Sequence, residues 1–151
     1  MKEFNNINEL LDFAIGEEQA AVDFYLQLAS QSKDAQSKKT FISFAEEEMR
    51  HKANLISMKE GGAFSLPDEV VRDLKISEYL VDVKPRPNMP YEDALVLAMK
   101  KEKAAFRMYS RLAEHAGDPA IRELLLGLAM EESKHKLRFE IEYDDFVLKE
   151  N

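Results

Sequence analysis

The chain has 151 residues, 45% hydrophobic and 33% charged, and a formal net charge of −8. That is enough for one domain with a real core, and the negative balance argues against nucleic acid as a partner, which needs a basic face. No apolar run approaches the ~20 residues of a membrane span and no signal-peptide stretch opens the chain, so no membrane partner and a cytoplasmic location are expected. Cysteine is absent, which excludes disulfides, thiolate ligation and thiol-based peroxide chemistry.

Leu10, Leu11, Ala14, Ile15, Glu18, Ala21, Val22, Tyr25, Leu28 and Ala29 recur at three- and four-residue steps, the stripe of an amphipathic helix over about residues 7–31. Ser32-Lys33-Asp34 is a polar turn. A second helix is expected from about Ala35 to Glu60, with Phe41, Phe44, Ala45, Glu48, His51, Leu55 and Met58 facing inward and Gly61-Gly62 ending it. From residue 61 to 90 the pattern fails, and most of the chain's glycines and prolines fall there. Pro67-Asp68-Glu69-Val70-Val71 can start a short helix, whereas the proline-rich run Lys84 to Pro90 must be extended or turning. A third helix fits about Tyr91 to Ala116, with Glu92 and Asp93 set against its N-terminal dipole. Gly117 breaks it. Asp118-Pro119 then reads as an N-cap followed by proline at the first helical position, starting a fourth helix to about Leu148.

The expected fold is therefore all-α: an antiparallel four-helix bundle made of hairpin 1 (about 7–60), a crossover (61–90) and hairpin 2 (about 91–148), in a single domain over residues 1–151. The hairpins repeat. With a shift of 84, Leu11, Ala14, Glu18, Ala20, Ala21, Tyr25, Leu28, Ala29, Asp34, Ala45, Glu47, Glu48, His51 and Lys52 all meet identical residues in the second half. A pseudo-two-fold axis follows.

Within that repeat one pattern occurs twice: a lone glutamate, then thirty residues later a Glu-x-x-His. Glu18 leads to Glu48 and His51, and Glu102 leads to Glu132 and His135. Each lone glutamate and its partner lie fifteen residues either side of a turn, about position 33 and Gly117, so they share a height in an antiparallel hairpin. Residues at i and i+3 share a helix face, so each Glu and His can aim at one point. Four carboxylates balance two divalent cations and two imidazoles supply one nitrogen each; oxygen and nitrogen donors suit iron or manganese, and zinc also fits. The neighbouring acids Glu46, Glu47 and Glu131 are what a solvated charged face would also show, but such a face does not explain two copies, equal spacings and matched heights. His115, without a counterpart, reads as a favourable charge at a helix C-terminus.

On these residues the chain resembles the ferritin-like superfamily and, within it, the rubrerythrin-type di-iron proteins; ferritin-like dimetal bundles have this layout. The spacing Glu18/Tyr25 and Glu102/Tyr109 adds to the resemblance. It implies two iron ions in a non-haem centre that reacts with hydrogen peroxide or oxygen, with Glu48 and Glu132 bridging, Glu18 and Glu102 terminal, and His51 and His135 binding one iron each. It also implies an external electron donor such as a rubredoxin-like protein, because a chain without cysteine has no rubredoxin-like iron domain. A second departure lies on the third helix, where the family carries another glutamate one turn after the first and this chain has Ala105.

The expected function is thus a di-iron redox protein that passes two electrons into the O–O bond of peroxide. The alternatives are an iron-oxidising storage protein of the ferritin or bacterioferritin type, and a bundle with structural metal alone. Bacterioferritins can carry a haem-binding methionine where Met49 stands. Residue i+1 points about 100° from the metal face, however, and Ser133 replaces it in the second copy, so a surface contact is expected. Tyr25 and Tyr109 can orient ligand carboxylates through their hydroxyls or serve as core tyrosines. Phe13, Phe24, Phe41, Phe44 and Phe106 are expected in the core, and the bundle is expected to pair as a homodimer.

Overall fold

A computed structural model describes residues 3–62, 64–81 and 83–150, with residues 149 and 150 described as backbone only. The elements are α1 (Ile7–Gln31), α2 (Ala35–Gly61), α3 (Asp68–Asp73), a single 3₁₀ turn (Ile76–Tyr79), α4 (Tyr91–His115) and α5 (Pro119–Glu150). Among the described residues there is no strand.

Side-chain caps set three of the helix starts. The Asn6, Asp34 and Asp118 carboxamide or carboxylate oxygens accept from the backbone N–H of Glu9 (2.9 Å), Gln36 (3.1 Å) and Ala120 (2.8 Å). Gly62 stops α2 at φ +62°, a conformation in which a side chain would be strained. The helix ends therefore fall where local chemistry puts them, and tertiary packing has only to orient the cylinders.

Cross-helix pairs give their directions. Lys52 donates to Gln19 (2.8 Å) and Lys59 pairs with Asp12, so residue numbers run oppositely on α1 and α2. His51 meets Glu131 and His135 meets Glu47, which makes α2 and α5 antiparallel neighbours. Tyr91 meets Glu142 (3.0 Å) and His135 lies beside Glu102, which does the same for α4 and α5. It follows that α2 and α4 are parallel. The chain must then return the length of α2, 27 residues or about 40 Å, before α4 begins. The long link does this. It runs along the α1–α4 side, where the Gln27 and Gln31 amides donate to the carbonyls of Arg86 and Met89, each at 3.1 Å.

The core comes in two parts. One holds Leu10, Leu11, Leu55, Leu112 and Leu125 with Phe64, Val71 and Ile76 of the crossover. The other holds Val22, Tyr25, Leu28, Phe41, Leu95 and Phe139. Each fully buried side chain of this size stabilises by about 1.5–3 kcal/mol. Between the two parts lies a belt of buried charge.

Phe24 and Phe41 are in the core as expected, while Phe13 and Phe44 are half-buried. Phe106 is not a core residue: it is 41% exposed. The crossover covers the side of α4 that carries Ala104 and Met108, which swings the buried arc of the helix away from Phe106. Met49 is half exposed on the surface, and His115 is the exposed last residue of α4. No described helix is long and apolar enough to cross a membrane.

Candidate metal centre

The buried belt consists of Glu18 from α1, Glu48 and His51 from α2, Glu102 from α4, and Glu132 and His135 from α5, each at most 3% exposed. All six are the residues singled out by the repeat, and the bundle brings all six together. Their ligand-type atoms form two sets whose members lie within 4.8 Å of one another: Glu18, Glu48, His51 and Glu132, and Glu48, Glu102, Glu132 and His135. Glu48 and Glu132 belong to both.

Inside the belt, His51 Nδ1 lies 2.9 Å from Glu132, 3.4 Å from Glu48 and 3.5 Å from Glu18. His135 Nδ1 lies 3.1 Å from Glu48 and 3.6 Å from Glu102. The two imidazoles face each other with ring centres 6.4 Å apart. Despite these short approaches, Glu18 Oε2, Glu48 Oε1, Glu102 Oε2, Glu132 Oε1 and both Nδ1 atoms make no well-aligned hydrogen bond among the described residues. Six buried polar atoms converge on one volume without well-aligned hydrogen bonds, a desolvation cost that histidine–carboxylate attraction offsets only in part. A cation removes that cost. Bonds of about 2.1 Å at right angles put neighbouring ligand atoms about 3 Å apart, so these spacings fit metal coordination.

Protonation tells the same story. Burial pushes the Glu18 carboxyl up to about 8, with nearby Glu48 adding to it. Burial and the Glu132 charge raise Glu48, and burial with the charges of Glu102 and Glu18 holds Glu132 well above the usual range. Glu102 is raised by burial against the pull of His135. Burial alone would lower the histidines, but the surrounding carboxylates outweigh it, carrying His51 up to about 11 and His135 up to about 12. Metal-free, the cluster holds protons that a cation would displace.

Outside the belt, each histidine is held by its other nitrogen. His51 Nε2–H donates to Glu131 at 2.5 Å, and His135 Nε2–H donates to Glu47. This fixes the tautomer that leaves Nδ1 free to bind inward. Glu47 and Glu131 are thus more than solvated acids. The signal for them was present: they are identical at the 84-residue shift.

The tyrosines differ from each other. The Tyr109 hydroxyl donates to Glu18 Oε1 at 2.5 Å, so it reaches across to α1 and not to Glu102 on its own helix. Two helical turns separate Glu102 and Tyr109, about 10 Å of rise, whereas a tyrosine leaning toward its helix N-terminus can span to the facing helix. Burial and the Glu18 charge raise this phenol well above its ordinary value. Tyr25 makes no such bond among the described residues; its ring packs edge-on to His135 at 6.3 Å and against Phe139 at 5.1 Å. Phe44 stacks on His135 at 4.0 Å.

A family model for Rubrerythrin matches residues 9–143 of the chain. The chain belongs to the rubrerythrin family. Searches of curated proteins and of solved structures found no match. The match takes in most of both helical hairpins and every residue of the belt. Rubrerythrin-family bundles typically hold a di-iron centre, and the buried Glu/His groups here could hold metal.

Proposed function

We propose that the chain binds two iron ions and reduces hydrogen peroxide, drawing electrons from an external carrier such as a rubredoxin-like protein. The observation that carries this reading is the convergence of six buried side chains in two sets of ligand-type atoms that share Glu48 and Glu132. In it, Glu18 and His51 would hold one ion, Glu102 and His135 the other, and Glu48 and Glu132, common to both sets, would serve both. Four carboxylates neutralise two divalent ions, and an all-oxygen-and-nitrogen donor set suits iron or manganese. When bound, a reduced iron pair supplies the two electrons that the O–O bond takes up in going to water.

The chain's own residues do the positioning. Glu131 and Glu47 hold the imidazoles by their Nε2–H groups. Tyr109 holds Glu18 by Oε1 and leaves Oε2 facing inward. A cleft between α1 and α4, lined by Glu18, Glu48, Glu102 and Glu132, lets a small molecule reach the centre.

Reconstituting the protein with iron(II) without oxygen and titrating with hydrogen peroxide tests the reading. One peroxide per two irons, with the near-ultraviolet absorption of ferric ions appearing in step, is the expected result. Iron that peroxide leaves reduced would move the function to storage or structure.

A further inference from the structure

The cleft above the carboxylates is far larger than hydrogen peroxide needs. Its volume is about 420 Å³. A water occupies about 30 Å³ of liquid, so a molecule of two oxygens leaves most of the space empty. Pockets for small organic ligands begin near ~300 Å³.

The buried glutamates of the belt line the cleft together with Tyr25 and Tyr109. Apolar walls come from buried Phe24 and Met108, half-buried Ala21 and Ala105, and exposed Ala20. Ala21 and Ala105 occupy equivalent positions in the repeat, three residues after Glu18 and Glu102, and neither is long enough to fill the cleft. At the mouth the charges are mixed: Lys84 and Lys101 stand with Glu17 and Asp23, and Lys101 lies 4.0 Å from Glu17. Such a mouth selects neither anions nor cations. A carboxylate ligand would also meet the glutamates of the belt, whereas a hydroperoxide is neutral near pH 7.

We propose that the cleft receives an organic hydroperoxide, with the O–O head at the glutamates and the hydrocarbon body against Ala20, Ala21, Phe24, Ala105 and Met108. This rests on the peroxide-reducing reading above and names its substrate class. The reaction is ROOH + 2e⁻ + 2H⁺ → ROH + H₂O. Only the O–O bond breaks, the alkyl oxygen leaves as the alcohol and the terminal oxygen as water. The electrons come from the iron pair, resupplied by the external iron–sulfur or rubredoxin-type carrier, and the protons from solvent at the open mouth.

The test compares cumene hydroperoxide with hydrogen peroxide on iron-loaded protein, in the wild type and in the folded variants Ala105→Leu and Ala21→Leu. A second readout needs no turnover: cumyl alcohol, the product, is titrated into zinc-loaded protein while the methyl NMR signals of Ala21, Ala105 and Met108 are followed. The expected results are saturable methyl shifts that both variants abolish, and a kcat/KM ratio, organic over inorganic, that falls at least about tenfold in either variant. Two variants guard against one failing to fold. Reduction of hydrogen peroxide with no organic turnover and no methyl shifts overturns this inference and leaves the earlier reading standing. An unchanged ratio in both variants also overturns it. If neither peroxide is consumed, both readings fall, whatever the alcohol does.

Discussion

Replacing Tyr109 with phenylalanine separates an orienting hydroxyl from a merely buried ring. The ring stays in place, so no cavity opens and packing is conserved; only the bond to Glu18 Oε1 at 2.5 Å is lost. Its worth depends on the charge of Glu18. In the metal-free protein Glu18, with its carboxyl pushed up to about 8, is largely protonated at pH 7, and a neutral hydrogen bond contributes about 0.5–1.5 kcal/mol. With metal bound the carboxylate is ionised and the same bond contributes about 1.5–3 kcal/mol. The difference, about 1–1.5 kcal/mol, falls on metal affinity and amounts to roughly a tenfold loss. Freeing Glu18 to rotate extends the range to about a hundredfold. Tyr25→Phe is the comparison, because the Tyr25 ring packs on His135 and Phe139 without a bond to a carboxylate; its effect is expected to stay under about threefold. Anaerobic competition titrations against a chromophoric chelator measure both, with thermal melts as the control for folding. Wild-type affinity in Tyr109→Phe, or equal losses in the two variants, would mean that the Tyr109 hydroxyl does not orient Glu18.

Three further outcomes follow from the same geometry. Metal-free protein is expected to lose stability as pH rises from about 5 to 8, because Glu18 (4.5 raised to about 8) and, above 6.5, His51 and His135 (raised to about 11 and about 12) bind protons more tightly folded than unfolded. Denaturant titrations with and without a divalent metal check this; greater metal-free stability at pH 8 than at pH 5 contradicts it. Glu131→Ala and Glu47→Ala should each weaken metal binding about 10–100-fold by releasing His51 and His135 respectively, and nitrogen-15 NMR of the imidazoles should show the lost tautomer preference. Phe139→Ala removes a ring with no exposed surface, packed on Tyr25, Phe41 and Phe44 at 5.1–5.6 Å. It should cost about 3–5 kcal/mol, read by denaturant unfolding; a loss under about 1 kcal/mol would mean this half of the core is looser than described.

The helices were legible because their signals are local. Asp118-Pro119 announced a cap and the structure shows that cap; Gly62 announced a stop and takes the positive φ that makes it one. The belt was legible because it is written twice at one spacing. What sequence patterning missed depends on the third dimension. Glu47 and Glu131 sit one residue from the inward glutamates, so a helical wheel turns them about 100° outward. Only the antiparallel pairing of α2 with α5 carries a histidine of the other hairpin to each. The two-fold repeat treats Tyr25 and Tyr109 alike, yet their surroundings differ: Phe44 stacks on His135, while its equivalent in the repeat is Leu128, which has no ring to stack. The repeat marked Ala21 and Ala105 as small, but the cleft they leave needs α1, α4 and the crossover to enclose it.

The most direct test of the account is the metal stoichiometry of anaerobically reconstituted protein, measured by mass spectrometry on the wild type and on Glu48→Ala with Glu132→Ala. Two ions per chain are expected, and loss of both when the two shared carboxylates are removed together. One ion or none in the wild type, or two that survive in the double variant, would contradict it.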